Sequence, residues 1–67
     1  MNTKLLFAYE HLPEHLQPVS KPFYDMAMQL EVDLPASAEL TLCLRKLWEA
    51  KNYAVWCAAM RPEGHLG

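Results

Sequence analysis

The stretch Asp33-Leu34-Pro35-Ala36-Ser37-Ala38-Glu39-Leu40 decides the fold of this 67-residue chain. Pro35 disfavours helical geometry at Leu34, so a preceding helix must end there. The hydroxyl of Ser37 is suited to cap the free N–H groups of a second helix that follows it. Because the connection is short, we expect two antiparallel neighbouring helices. The stretch therefore predicts a helical hairpin.

Apolar residues on both sides of this junction recur every three or four positions, as they do on one face of a helix. The upstream stripe comprises Val19, Phe23, Met26, Ala27, Leu30 and Leu34. The downstream stripe comprises Leu40, Leu44, Leu47, Lys51, Ala54 and Ala58. These stripes predict helices over about 18–33 and 37–60. Pro18 suits a first helical turn, and Pro22 removes only the first intrahelical hydrogen bond.

The composition supports an all-α fold. Eleven Leu, eight Ala and four Met face only three Val, two Thr and no Ile, which excludes an all-β fold or a doubly wound sheet. We expect one domain over 1–67, with a short N-terminal segment before the hairpin and a frayed tail at 62–67. An extended N-terminal segment would show Phe7, Tyr9 and His11 on one side.

The second helix predicts self-association, because apolar residues cover most of its circumference. Six of them lie off the main stripe, namely Leu42, Cys43, Trp48, Val55, Trp56 and Cys57. One partner helix cannot bury all of this surface, and a core of this size supplies only ~3–5 kcal/mol. We therefore expect a symmetric homo-oligomer in which Trp48 and Trp56 anchor the contacts. The alternative is that both tryptophans cap the open end of a hairpin.

Several function classes lack support in the sequence. Cys43 and Cys57 do not form a disulfide framework, and no apolar run approaches the ~20 residues of a membrane span. These features predict a cytoplasmic protein with no membrane partner. His11 and His15 have a metal-ligand spacing but no third ligand beyond an assumed glutamate, so we expect surface histidines, no metal and no cofactor. The sequence offers no evident set of a catalytic nucleophile, a general base and a residue that orients the base, so we expect a protein without enzymatic activity.

Charge is distributed unevenly along the chain. Residues 1–39 carry two lysines against six carboxylates, whereas residues 40–61 carry four cations against one carboxylate. Two interpretations follow: attraction between two helices of opposite sign, or a cationic surface for an anionic ligand. The net charge of −2 and the lack of a recognition-helix pattern argue against DNA binding.

The start of the second helix gathers the groups that an anion would need. Ser37, Glu39 and Thr41 line its first turn. Arg45 and Trp48 continue on the side of Thr41, and Lys46 follows Arg45 in the sequence. A cation for phosphate and an aromatic face for a base are the ingredients of nucleotide binding. The alternative is that Glu39 and Glu49 merely pair with the nearby cations on a solvated surface.

Residues 34–50, Leu-Pro-Ala-Ser-Ala-Glu-Leu-Thr-Leu-Cys-Leu-Arg-Lys-Leu-Trp-Glu-Ala, resemble the helical-hairpin domain of phage anti-CBASS and anti-Thoeris sponge proteins. The shared pattern is a Leu-Pro turn, an acidic residue, Thr or Ser two places later, and Leu-x-Lys-Leu-x-Glu-Ala, with Ala54 and Ala58 beyond. The similarity covers about half the chain well.

The resemblance implies a host-cytoplasmic protein that evades immunity by sequestering cyclic di- or trinucleotide signals, or cyclic ADP-ribose variants, without cleaving them. It also implies symmetric oligomers as large as hexamers with pockets between protomers. Thr41 and Lys46 match the helix motif of the family directly, and Arg45 occupies a variable position next to Lys46. Tyr9 and Lys21 correspond more loosely to the aromatic and basic residues that the family uses near its N-terminus. Trp56 departs from the pattern. The alternative function is a helical interaction or assembly module that binds protein through its aromatic face.

Overall fold

The computed structural model describes residues 2–60, and this part of the chain contains three helices and no strand. These are α1 (Thr3–Leu6), α2 (Gln17–Asp33) and α3 (Ala38–Met60). α2 begins one residue before the predicted start, and α3 begins one residue after it. The tail expected at 62–67 lies outside the described residues. The long pair α2 and α3 gives the all-helical architecture that the stripes predict.

The junction between α2 and α3 is built as its sequence indicates. Leu34 has an extended backbone (φ −116°, ψ 146°), and its N–H donates to the carbonyl of Leu30. The N–H of Leu40 donates to Oγ of Ser37 at 3.1 Å, which is the expected cap. Since only residues 34–37 separate two helices that pack on each other, the chain reverses direction between them.

The core lies between α2 and α3 and is centred on a residue from neither helix. Phe7 is completely buried and shares a cluster with Ala27, Leu40 and Leu44. Partly buried side chains pack around this cluster, namely Leu6, Phe23, Tyr24, Leu30, Leu47 and Trp48. Phe7 therefore joins the N-terminal segment to both long helices.

The N-terminal segment is not extended, in contrast to the geometry that the alternation of Phe7, Tyr9 and His11 suggested. The side chain of Asn2 accepts a hydrogen bond from the N–H of Leu5 and so caps α1. As a result Phe7 is buried, whereas Tyr9 is half-buried and His11 exposed. Local capping and burial of one aromatic ring outweigh the period-two pattern.

α1 is fastened to α2 by a hydrogen bond between side chains. Oγ1 of Thr3 donates to Oε2 of Glu31 at 2.7 Å, and Thr3 itself is only 4% exposed. A hydrogen bond to a carboxylate is stronger than one between neutral groups. This bond and the burial of Phe7 fix α1 over the end of the hairpin nearest the junction.

Two polar residues are buried on the facing stripes of the hairpin. Ser20 is fully buried, and its hydroxyl has no hydrogen-bond partner among residues 2–60. Lys51 is 9% exposed and enters no ion pair within the same range. Desolvation lowers the pKa of Lys51 below its ordinary value of 10.5. Both residues lie at the end of the hairpin away from the junction, so the core is weakest there.

Candidate ligand groove

A groove of about 580 Å³ separates α1 from the first half of α3. Its lining mixes apolar, aromatic, cationic and hydrogen-bonding side chains: Asn2, Leu5, Leu6, Thr41, Arg45, Trp48 and Glu49. The volume is within the range of small-molecule sites, roughly 300–1,000 Å³. This groove is the best candidate for a ligand site in the described part of the chain.

Helical spacing brings the α3 side of the groove together. Thr41, Arg45 and Trp48 succeed one another at intervals of four and three residues, which place side chains on one helical face. Trp48 also packs against the core cluster, so its indole is held from behind. The groove therefore joins Thr41 and Arg45, two of the predicted ligand residues, to a fixed aromatic side chain.

The other wall of the groove comes from α1, which the sequence analysis did not assign to a site. Asn2, Leu5 and Leu6 form this wall. A cap residue followed by helix formers, as in Asn2-Thr3-Lys4-Leu5-Leu6, is a signal for such a turn. The position of the turn against α3 depends on the burial of Phe7, which has no local signature.

The hydroxyl of Thr41 is already engaged. Its Oγ1 donates to the carbonyl of Ser37 at 3.2 Å, so in this state it offers a ligand only its lone pairs. Ser37 uses its own side chain to cap α3, and neither Ser37 nor Glu39 lines the groove. Of the three first-turn residues Ser37, Glu39 and Thr41, Thr41 is therefore the one that lines the groove.

The two cations of this segment have different surroundings. Arg45 lines the groove and forms no ion pair within residues 2–60. Lys46 lies outside the lining, with a side chain that is 78% exposed, and its Nζ lies 3.7 Å from Oε1 of Glu49. For Lys46 this is the pairing that the solvated-surface alternative describes. Arg45 is thus the cation available to an anion in the groove.

Tyr9 and Lys21 form a separate group at the N-terminal half of α2, where Tyr9 of the segment before α2 packs on that helix. The rings of Tyr9 and Tyr24 meet edge to face, with centroids 5.5 Å apart. Nζ of Lys21 lies 2.8 Å from Oδ2 of Asp25, and this hydrogen bond, reinforced by the opposite charge, raises the pKa of Lys21. Neither Tyr9 nor Lys21 lines the groove. The five predicted ligand residues are therefore not gathered at one place in this chain.

His11 and His15 are both exposed, and residues 2–60 contain no group of three or more side chains able to hold a metal ion. No helix among α1, α2 and α3 has the length and apolar character needed to cross a membrane.

The end of α3 carries a second, shallower concavity of about 380 Å³. Tyr53, Trp56, Cys57 and Met60 line it, and their surface is almost entirely apolar. Trp56 is 62% exposed, whereas Trp48 packs on the core. The two tryptophans therefore occupy different environments, and Trp56 is the one available to a partner.

Comparison of the chain with models of known protein families, with curated protein sequences and with solved structures finds no match in any of the three.

Proposed function

We propose that this protein binds and sequesters a cyclic oligonucleotide without cleaving it, as a phage anti-defence sponge would, and that it does so as a homo-oligomer. The observation that carries the proposal is the groove, where the guanidinium of Arg45, the hydroxyl of Thr41 and the indole of Trp48 lie on one face of α3. Arg45 has no ion-pair partner among residues 2–60. The resemblance of residues 34–50 to sponge proteins supplies the chemical class of the ligand.

Arg45 suits the phosphate of such a ligand. A guanidinium presents a planar fork of N–H donors that matches two phosphate oxygens at once. Because no carboxylate within residues 2–60 pairs with Arg45, a phosphate would not have to displace an existing partner. Thr41 can add a donor if its hydroxyl turns away from the Ser37 carbonyl.

The remaining lining suits a nucleobase. Trp48 offers an aromatic face, and Leu5 and Leu6 form an apolar wall across from it. Glu49 opposes phosphate by its charge, but Lys46 offsets part of that charge. The carboxylate of Glu49 can also accept hydrogen bonds from the exocyclic amine of a base. We therefore place phosphate at Arg45 and a base between Trp48 and α1.

Binding without turnover fits the residues that line the groove. Thr41 carries the only hydroxyl in that lining, and its proton is donated to a backbone carbonyl. The described lining contains neither histidine nor cysteine, and the Thr41 hydroxyl is hydrogen-bonded to the Ser37 carbonyl and not to a side-chain base that could activate it. A ligand released by heat denaturation should therefore have its original mass.

The test is a calorimetric titration with a panel of cyclic di- and trinucleotides and cyclic ADP-ribose variants. We expect Arg45→Ala to weaken binding at least tenfold, since a charged hydrogen bond to phosphate contributes about 1.5–3 kcal/mol. The matched control is Lys4→Ala, which removes an exposed cation of α1 outside the groove lining. Lys46→Ala should weaken binding less than Arg45→Ala and more than Lys4→Ala. Lys46 lies outside the groove but offsets part of the negative charge of Glu49, which lines it.

Three results would contradict parts of this proposal. Failure of every ligand in the panel to bind would refute sequestration, and recovery of linear or hydrolysed product, with contaminating nucleases excluded, would refute binding without turnover. Equal affinity of wild type and Arg45→Ala, with loss of binding in Lys21→Ala, would move the ligand to the group around Tyr9 and Lys21.

A second candidate function is a protein interaction module. The observation that favours it is the apolar concavity at the end of α3, where Tyr53 is 69% and Trp56 62% exposed. Side chains of this kind are common anchors in protein interfaces. This candidate predicts that Trp56→Ala abolishes partner binding, whereas Arg45→Ala has no effect on it.

A further inference from the structure

The face of α3 that points away from the hairpin core carries residues at alternating spacings of four and three. We call this face the outer seam, and it consists of Leu42, Lys46, Glu49, Tyr53, Trp56 and Met60. Alternating spacings of four and three residues place these side chains along one stripe of the helix, which a second helix can cover along its length. The seam spans the 19 residues from 42 to 60, or ~27 Å of helix.

The outer seam is exposed at every apolar position. Leu42 is 57%, Tyr53 69%, Trp56 62% and Met60 68% exposed. The side chains of Lys46 and Glu49 between them are also largely exposed, at 78% and 52%. Hydrophobic side chains arranged in a line at this period are unusual on a solvated face and mark an interface.

We propose that the outer seam pairs with the outer seam of a second copy of this chain, with the two α3 helices antiparallel and related by a two-fold axis at the level of residue 51. This proposal does not depend on the proposed ligand. Lys46 and Glu49 argue for the antiparallel direction, because parallel helices in register would bring Lys46 to Lys46 and Glu49 to Glu49, which is repulsive.

The antiparallel arrangement gives each seam residue a complementary neighbour. Residues 42 and 60, 46 and 56, and 49 and 53 lie at equal distances on either side of residue 51. Leu42 of one copy therefore meets Met60 of the other, an apolar pair. Lys46 meets the indole of Trp56, and Glu49 meets the hydroxyl of Tyr53. A two-fold interface has to be self-complementary, and the outer seam has this property.

The size of the seam sets the expected affinity. A standard interface buries ~800 Å² on each partner, and one helical seam of ~27 Å is shorter than such interfaces require. We therefore expect a dimer that dissociates on dilution, with further contacts needed for any larger assembly. Glu49 belongs to the seam and Arg45 lies next to it, and both line the groove, so the second copy would border the groove.

Cys43 and Cys57 provide a test of the direction of pairing. Both thiols are exposed, and each directly follows a seam residue, so they flank the seam on the same side. In the antiparallel dimer Cys43 of one copy lies beside Cys57 of the other. Within one chain the two residues are ~21 Å apart along the helix, beyond the reach of a short bis-maleimide crosslinker.

We expect a short bis-maleimide to convert the wild type into covalent dimers, whereas Cys43→Ser alone or Cys57→Ser alone does not crosslink. A mixture of the two variants should crosslink again. The control is Ala50→Cys in a chain with both cysteines changed to serine, since residue 50 flanks the seam near the two-fold axis and should crosslink to itself. Self-crosslinking of the single variants at the wild-type level would overturn the antiparallel arrangement.

Sedimentation equilibrium tests the seam itself. Trp56→Glu should raise the dimer dissociation constant at least tenfold, whereas Val32→Glu, which changes an apolar side chain on α2 that is 79% exposed, should leave it unchanged. Circular dichroism of both variants checks that they fold. A wild type that stays monomeric at every concentration, as expected if a different protein or another segment of the chain covers the seam, would overturn the proposal. The same dimer dissociation constant for the wild type and Trp56→Glu would also overturn the proposal.

Discussion

Replacement of Phe7 by alanine is the most direct test of the fold, because this one side chain joins three parts of the molecule. Phe7 is completely buried and lies in one cluster with Ala27 of α2 and with Leu40 and Leu44 of α3. Truncation of a buried phenylalanine to alanine costs ~3–5 kcal/mol. A core of this size supplies about the same amount, ~3–5 kcal/mol. We therefore expect Phe7→Ala to be largely unfolded at low protein concentration.

The measurement is urea unfolding followed by far-UV circular dichroism, at several protein concentrations because association adds to apparent stability. Phe7→Leu gives a graded comparison, with an expected loss of less than about 1.5 kcal/mol if the site repacks. The control is Leu5→Ala, which shortens an apolar side chain of α1 that is 72% exposed and should change stability by less than ~0.5 kcal/mol.

A loss of less than ~1 kcal/mol in Phe7→Ala would refute the reasoning, since a fully buried ring cannot be removed so cheaply. It would mean that the N-terminal segment does not contribute to the hairpin core. The groove would then lack its second wall, and Arg45 would lie on an open helix surface.

Four further changes test the buried polar groups, the cap of α3 and the hydrogen bond between α1 and α2. Ser20→Ala should stabilise the protein by about 1 kcal/mol in chemical denaturation, because it removes a buried hydroxyl that has no partner among residues 2–60. Ser37→Ala should destabilise the protein by ~0.5–2 kcal/mol in the same assay, because it removes the cap of α3. Lys51→Met should raise stability at neutral pH. Burial lowers the pKa of Lys51 in the folded protein below 10.5, so the charged side chain lowers the free energy of unfolding at all pH values below the folded pKa. As pH rises from the folded pKa toward 10.5, the difference in free energy of unfolding between Lys51→Met and the wild type should shrink. A constant difference across this pH range would contradict the lowered pKa. Thr3→Val should cost about 1–2 kcal/mol by removing the hydrogen bond to Glu31, and Glu31→Gln, which keeps an acceptor, should cost less.

The hairpin of α2 and α3 could be predicted from the sequence, whereas the packing of the N-terminal segment on it could not. Pro35 and Ser37 act on their immediate neighbours, so their effects follow from local rules. The position of Phe7 does not follow from such rules. Its burial depends on a space between α2 and α3 that exists only after those helices have packed, and the alternation of Phe7, Tyr9 and His11 did not single out Phe7 as the buried ring.

The same distinction applies to the candidate site. Thr41 and Arg45 lie on one face of one helix, so helical spacing was enough to group them. Leu5 and Leu6 belong to a helix of four residues that Asn2 caps, and the docking of this helix depends on distant contacts. No local pattern therefore links these three residues to Arg45.

α1 also affects how a ligand bound as proposed would leave the groove. A helix of four residues has no stability of its own, because formation of the first turn is unfavourable without tertiary contacts. Its structure therefore lasts only as long as Phe7 stays buried and Thr3 stays bonded to Glu31. Each undocking of α1 removes one wall of the groove, so undocking adds a route by which the ligand can escape. Residence time in this groove is consequently a property of the N-terminal docking contacts as well as of Arg45.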